Sequence, residues 1–215
     1  MKYAFILFDL DGTLTDSGPG ILNALDYAFD KLGLPRPELS VKRRFIGPPL
    51  MESFQTLVGM DENGARQAIE VYREYYRAKG IYENEPYPGV PSLLGALKSA
   101  GKRLAVASTK PESMCRVVLK HFGLDAYFDA VCGSTGDDQT KAEVVRRALD
   151  ALGADPAATV MIGDREHDVV GAHACGIPCV GVTYGYALPG EFERCGADRT
   201  ADTPDELRAL LTGSI

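Results

Sequence analysis

Two carboxylates, Asp9 and Asp11, stand two residues apart in the stretch Phe8-Asp9-Leu10-Asp11-Gly12-Thr13, directly after an apolar run over residues 3–7. Packing does not account for them, because a charged group in a dry environment is costly unless a cation or another partner neutralises it. A metal ion held at the end of a strand would supply that compensation. One carboxylate would then be free to act as a nucleophile and the other to move protons. Asp164 and Asp168 repeat the logic in Gly163-Asp164-Arg165-Glu166-His167-Asp168, after the apolar residues 159–162. Four carboxylates gathered at one place demand countercharge, and oxygen ligands with no His or Cys cluster select a hard ion such as Mg²⁺.

Hydroxyls and cations accompany these acids. Ser108, Thr109 and Lys110 follow the apolar residues from Leu104 onward, and a helix is predicted from Pro111, a favoured first-turn residue because its missing N–H would be unpaired there. A hydroxyl with backbone N–H groups at a helix N-terminus forms an anion site, although a simple helix cap also accounts for Ser108. Thr140-Lys141-Ala142-Glu143 matches a capping box, with Thr140 as N-cap and Glu143 three residues on. Lys141 then falls in the first helical turn, where a cation opposes the helix dipole by ~0.3–1 kcal/mol. It either faces an anion or the carboxylates, or it is a solvated surface lysine; Lys110 is the weaker candidate for the same role. Asp168 is expected to begin a helix, and an N-cap role would explain it without explaining Asp164.

The elements that must position these groups follow from apolar periodicity. Residues 3–8 read as a buried strand ending in a Gly-containing loop. From 17 to about 82 every periodic segment is helical: Ile21, Leu25, Ala28, Phe29 and Leu32 mark one face, and Ala68, Ile69, Tyr72 and Tyr76 another. After the punctuation of Pro86, Pro88, Gly89 and Pro91, strands at 104–108, 130–133, 159–162 and 178–182 alternate with helices at 111–122, 141–152 and up to 174. A closing helix spans 204–211. Repeated strand-then-helix units imply a parallel sheet with helices on both faces. The expected fold class is α/β: a Rossmann-like parallel-sheet core over residues 1–15 and 86–215, with an inserted all-helical cap domain over 16–85. Ligands in such sheets sit beyond the carboxyl ends of the strands, which is where the acids and Ser108 fall.

The 215 residues suffice for such a core and insert. A formal net charge of −7 argues against nucleic acid or an anionic membrane as partner. No apolar run approaches the roughly 18 residues of a membrane span, and residues 3–8 are too few for a signal-peptide core. Cys115, Cys132, Cys175, Cys179 and Cys195 are odd in number and contain no CxxC pair, so they read as free thiols in a reducing compartment. A cytoplasmic location is the expectation. His121, His167 and His173 are isolated from one another along the chain.

In order along the chain, Asp9-Leu10-Asp11-Gly12-Thr13, Ser108, Lys141 and Gly163-Asp164 with Asp168 four residues on resemble the four motifs of the haloacid dehalogenase superfamily. Within it the chain is similar to the phosphoglycolate phosphatase-like branch, in which a helical cap follows the first motif. The resemblance implies that Asp9 is the nucleophile and Asp11 the general acid/base, with a backbone carbonyl that also ligates the metal. It implies that Ser108 and Lys141 hold the phosphoryl oxygens, that Asp164 is the remaining side-chain ligand of Mg²⁺, and that Asp168 supports Asp164 and Lys141. Thr109 joins the phosphate-binding candidates as a departure, since many relatives carry Thr-Asn-Lys-Pro where this chain has Ser108-Thr109-Lys110-Pro111.

The implied activity is Mg²⁺-dependent hydrolysis of a small soluble phosphomonoester, such as phosphoglycolate or a nucleoside monophosphate, through an aspartyl phosphate. A sugar-phosphate mutase using the same intermediate is the alternative. A dehalogenase is disfavoured because Asp11 would have no leaving alkoxide to protonate, and a receiver-like phospho-switch because it lacks the helical insert and the GDxxxD element. Within the insert, Lys42, Arg43 and Arg44 precede a Gly47-Pro48-Pro49 turn that would fix a loop. In the resembling branch this loop reaches over the catalytic face, so Arg43 or Arg44 is expected to meet the substrate's second polar group, against the alternative of a solvated basic helix face.

Overall fold

The computed structural model describes residues 3–136 and 139–213. Phe5-Ile6-Leu7-Phe8 forms the first strand, β1 (Phe5–Phe8), and its side chains divide between two apolar layers: Ile6 and Phe8 join one, Leu7 the other. After the two-residue strands β2 (Thr15–Asp16) and β3 (Glu85–Pro86) come β4 (Arg103–Pro111), β5 (Ala130–Ser134), β6 (Thr159–Gly163), β7 (Cys179–Val182) and β8 (Arg199–Ala201). These build a six-stranded sheet ordered β5-β4-β1-β6-β7-β8, parallel throughout. The strands are almost continuously apolar because helices cover both faces. The fold is therefore the α/β parallel-sheet class expected from the sequence.

Between β2 and β3 lie four helices, α1 (Gly18–Lys31), α2 (Leu39–Arg43), α3 (Leu50–Val58) and α4 (Glu62–Ala78). The two short strands pair antiparallel, Thr15 with Pro86 and Asp16 with Glu85, and bring the ends of this insert together. Its interior is aromatic: Phe54 packs 6.2 Å from Phe29 and 5.1 Å from Phe45, centroid to centroid. Asp61 caps α4 by accepting from the Gly64 N–H at 2.7 Å.

On the sheet, α5 (Val90–Ser99), α6 (Glu112–His121) and α10 (Pro204–Thr212) cover one face. The helices α7 (Lys141–Leu152), α8 (Glu166–His173) and α9 (Glu191–Cys195) cover the other. β1 is the central strand, flanked by β4 on one side and β6 on the other. The acids that follow β1 and β6 thus emerge side by side with the end of β4.

Two local expectations are corrected. β4 runs beyond the expected end at Ser108, through Thr109 and Lys110 to Pro111, which pairs with Ser134 after a shift of register, so Ser108 lies inside the strand and the next helix begins only at Glu112. α8 starts at Glu166, and Asp168 is its third residue rather than its cap. Further elements escape the sequence reading, among them α5, masked by the Pro-Gly punctuation around its first turn, the five-residue helix α9, and β8, a short strand with two exposed residues. All five cysteines are free, with Cys115, Cys132 and Cys179 buried. Among the described residues no helix is long and apolar enough to cross a membrane.

Candidate active site

Asp9 leaves the end of β1, with its N–H bonded to the Ile162 carbonyl of β6 at 2.9 Å. It is buried, as are Asp164 and Asp168, and one ligand atom from each of the three carboxylates falls within 4.8 Å of the others. The ammonium of Lys141 lies 2.8 Å from Asp9 Oδ1 and 2.6 Å from Asp168 Oδ1. The capping box puts it there: the Thr140 N–H donates to Glu143 Oε2 at 2.8 Å and the Glu143 N–H to Thr140 Oγ1 at 3.3 Å, which fixes the first turn of α7. The lysine stem then runs over Gly171, where a Cβ would lie 2.7 Å from Lys141 Cγ.

Asp164 is held from two directions. Thr13 Oγ1 donates to its Oδ1 at 3.2 Å, and the Tyr186 N–H to its Oδ2 at 2.9 Å. Gly12 has φ +84° and a Cβ there would sit 2.1 Å from Asp164 Oδ2, so the DxDG turn accepts only glycine on both counts. Asp168 also accepts from the Arg165 N–H at 3.1 Å, which anchors it to the start of α8.

The electrostatics of this cluster are unbalanced. Burial pushes the Asp9 carboxyl up to about 6, helped by the charges of Asp168 and Asp11 and opposed by Lys141. Burial, then Asp168 and Asp9, raise Asp164 well above the ordinary carboxylate range. Lys141 moves the other way: burial opposes its charge, but Asp168 and Asp9 outweigh it and the ammonium keeps its proton. Three buried carboxylates face one ammonium, and the nearby Arg165 is itself paired with Glu191 at 2.9 Å. An all-oxygen donor set with surplus negative charge fits a hard divalent cation.

Asp11 faces elsewhere. Its two carboxylate oxygens lie 3.0 and 2.9 Å from the ammonium of Lys110. A metal contact from Asp11 would therefore fall to its backbone carbonyl.

A cleft opens over Asp9, Asp11 and Ser108 toward the insert, and it encloses about 790 Å³ counting its open mouth. Its walls are mainly apolar and aromatic, with Phe45, Met51 and Tyr72 from the insert and Met114 from α6. Tyr72 and Tyr76 stack with centroids 5.4 Å apart and planes at 13°. Arg73, beside them on α4, is the insert cation that lines the cleft, and it pairs with Glu70 at 3.1 Å.

Arg43 and Arg44 are exposed at the end of α2 and do not line the cleft. Lys42 is turned to Asp26 at 2.6 Å, while Phe45 and Ile46 enter the core, so the basic run is the outer face of an amphipathic turn. Thr109 Oγ1 is engaged by the insert, donating to the Gly47 carbonyl at 2.9 Å. Arg165 reaches the same turn by donating to the Ile46 carbonyl. The sequence points to no role at the site for Tyr76, Arg73 or Arg165. Tyr72 and Tyr76 did carry a signal: a buried tyrosine hydroxyl needs a partner, and two of them on an apolar helix face point to a polar neighbour.

A parallel sheet whose central strand ends in an Asp-x-Asp pair, with a lysine and two further acids at adjoining ends and a helical insert above, defines a haloacid dehalogenase-type phosphatase. The family model described as haloacid dehalogenase-like hydrolase matches residues 6–182, and the chain belongs to that family. It is 42% identical over 194 residues to a 5'-nucleotidase from Pseudomonas aeruginosa, covering 89% of this chain and 88% of that one. It is 40% identical over 210 residues to the Tyrosine-protein kinase PtkA of Mycobacterium tuberculosis, covering 96% of this chain and 72% of that one. The solved structure of a predicted phosphatase from Clostridium acetobutylicum matches with a TM-score of 0.95 and 41% identity, over 99% of this chain and all of that one. Within its family the chain is a phosphatase, a phosphoric monoester hydrolase.

Proposed function

We propose that the protein hydrolyses small soluble phosphomonoesters in a Mg²⁺-dependent reaction through an aspartyl phosphate on Asp9, and that nucleoside 5'-monophosphates are its favoured substrates. The observation that carries the reaction is the Asp9 cluster: a carboxylate at the foot of a cleft, beside one buried ammonium and two further buried carboxylates. Asp9 and Asp164 would hold Mg²⁺ with the Asp11 carbonyl, and the ion supplies positive charge against the phosphoryl oxygens. Lys141 would add its own charge, and Ser108 would present its hydroxyl to the equatorial oxygens, while Thr109 beside it is engaged with the Gly47 carbonyl.

An Asp9 oxygen attacks phosphorus and forms the new P–O bond while the ester P–O bond breaks; the departing alkoxide takes a proton from Asp11. Water then attacks the same phosphorus, gives its proton to Asp11, and the bond to Asp9 breaks to release inorganic phosphate. In this reading residues 16–85 act as a cap over a core of 1–15 and 86–215, and the cleft wall chooses the leaving group. An apolar, aromatic wall with one arginine suits a planar leaving group better than the small charged remainder of phosphoglycolate. The name of the Pseudomonas aeruginosa relative supports that preference.

The experiment is inorganic phosphate release over a panel of phosphomonoesters with Mg²⁺, using Asp9→Asn as blank. Turnover of nucleoside 5'-monophosphates well above phosphoglycolate is expected. Equal signal from the blank would remove Asp9 as nucleophile. A tyrosine peptide with ATP belongs in the panel, to test the activity named for the Mycobacterium tuberculosis relative.

A further inference from the structure

Lys110 has no part in the reaction as described, yet its side chain is buried and its ammonium is held by two other residues. Its ammonium is buried between two hydrogen bonds to Asp11, at 3.0 and 2.9 Å, and a third to the hydroxyl of Tyr76 on α4. An ammonium has three donors, enough for these three acceptor atoms. The nitrogen also lies over the Tyr76 ring, 4.6 Å from its centroid. Burial opposes the charge on Lys110, but Asp11 and Tyr76 outweigh it. Burial first, and Asp11's charge against that of Lys110, push the Tyr76 hydroxyl up to about 12, so it stays protonated.

The backbone beneath Lys110 is equally fixed. Cys115 Sγ sits 3.5 Å from its carbonyl, and a Cβ on Gly133 of β5 would come within 2.7 Å of the same oxygen. A stiff strand end thus aims a cation at Asp11, and a residue from the insert completes the cation's shell.

We infer that Lys110 is a positioning residue that fixes the Asp11 carboxylate for proton transfer, and that Tyr76 completes this only while the helical insert is seated. The inference rests on the proposed acid/base role of Asp11. A carboxylate turns freely about two side-chain bonds; gripped at both oxygens by one ammonium, it does not. Misplacement of a catalytic group by about 1 Å costs on the order of 10²-fold in rate. The insert would then control the chemical step directly, through Tyr76, besides walling the cleft.

The test separates positioning from structural support by the proton demand of the leaving group. Phenyl phosphate and 4-nitrophenyl phosphate share the phosphate, its charge and a planar aryl leaving group, but only the phenolate of the first needs a proton as it leaves. With the full chain and Mg²⁺, kcat/KM for phenyl phosphate is expected to fall at least about tenfold in Tyr76→Phe and further in Lys110→Met. For 4-nitrophenyl phosphate the fall is expected to stay below about threefold. Equal losses on both esters, as from a damaged fold or a lost phosphate contact, overturn the inference, and so does no loss on either. Should Lys110→Met fail to fold, Tyr76→Phe, which removes one oxygen, decides alone. A wild type without turnover, or an Asp9→Asn variant as active as it, sinks the phosphatase reading itself. A normal wild type with uniformly impaired variants sinks only the role of Lys110.

Discussion

The two aspartates of the DxD turn live in different electrostatic and structural settings. Asp9 belongs to a half-site made without the insert: its partners Lys141, Asp164 and Asp168 come from α7, the end of β6 and α8. Asp11 belongs to a half-site with one partner from β4 and a further one, Tyr76, from the insert. The first half carries surplus negative charge and calls for a cation from outside. The second is balanced one to one. Dependence on a divalent ion should therefore concentrate around Asp9, and dependence on the insert around Asp11.

The sharpest break between the halves is expected from removing each carboxylate. Asp9→Asn should lower phosphate release by about 10³-fold or more, because the proposed nucleophile is removed. Asp11→Asn should spare the attack on a 4-nitrophenyl ester but slow the hydrolysis that follows, so phosphorylated protein accumulates and is caught by intact mass measurement. Label on the Asp9→Asn protein instead would exchange the two roles.

Charge balance gives the second contrast. Lys141→Met removes the one ammonium facing three buried carboxylates, and breaking such a buried pair costs about 3–5 kcal/mol. Denaturant unfolding should show this loss, and millimolar Mg²⁺ should restore part of it by binding the folded state. The Lys110→Met protein should gain little from the ion. Equal rescue of both variants would contradict the division.

A subtler probe leaves every charge in place. A Cβ on Gly163 would lie 2.1 Å from Asp168 Cγ, so Gly163→Ala must displace that carboxylate, and Lys141 with it. Loss of such a supporting contact typically lowers metal affinity about 10–100-fold. A Mg²⁺ titration of phosphate release should move by that much, while the Tyr76-dependent contrast between phenyl and nitrophenyl esters stays as it was.

The asymmetry also explains what could be read from the sequence. Asp9, Asp164 and Lys141 are tied to strand ends and to a capping box, local features whose consequences survive without knowledge of the rest of the fold. The pairing of Lys110 with Asp11 and Tyr76 spans 99 and 34 residues and depends on how the insert lies on the sheet. The sequence reading ends β4 at Ser108 because Pro111 reads as a first-turn residue, whereas the register shift beyond Ala107 lets the strand run on to Pro111. Tyr72 and Tyr76 have the spacing of an apolar stripe, and periodicity alone does not separate a core tyrosine from one that serves a buried cation.

Specificity offers the mildest effects and the closest comparison within the insert. Arg73 lines the cleft with a side chain only 14% exposed, so Arg73→Ala should raise KM for nucleoside monophosphates about tenfold, the scale of one charge-assisted hydrogen bond, with kcat nearly unchanged. Arg43 and Arg44, which the sequence singles out more strongly, face solvent beyond the cleft wall. Water and salt screen an exposed charge at that position, so it has little hold on an ester bound at Asp9. Alanine at either position should leave KM and kcat within about twofold across the substrate panel, since surface changes typically stay within ±0.5 kcal/mol. A KM shift larger than that of Arg73→Ala would mean that the α2 turn folds down onto the substrate during turnover, and the division of labour inside the insert would have to be redrawn around Gly47, the turn that Thr109 and Arg165 hold in place.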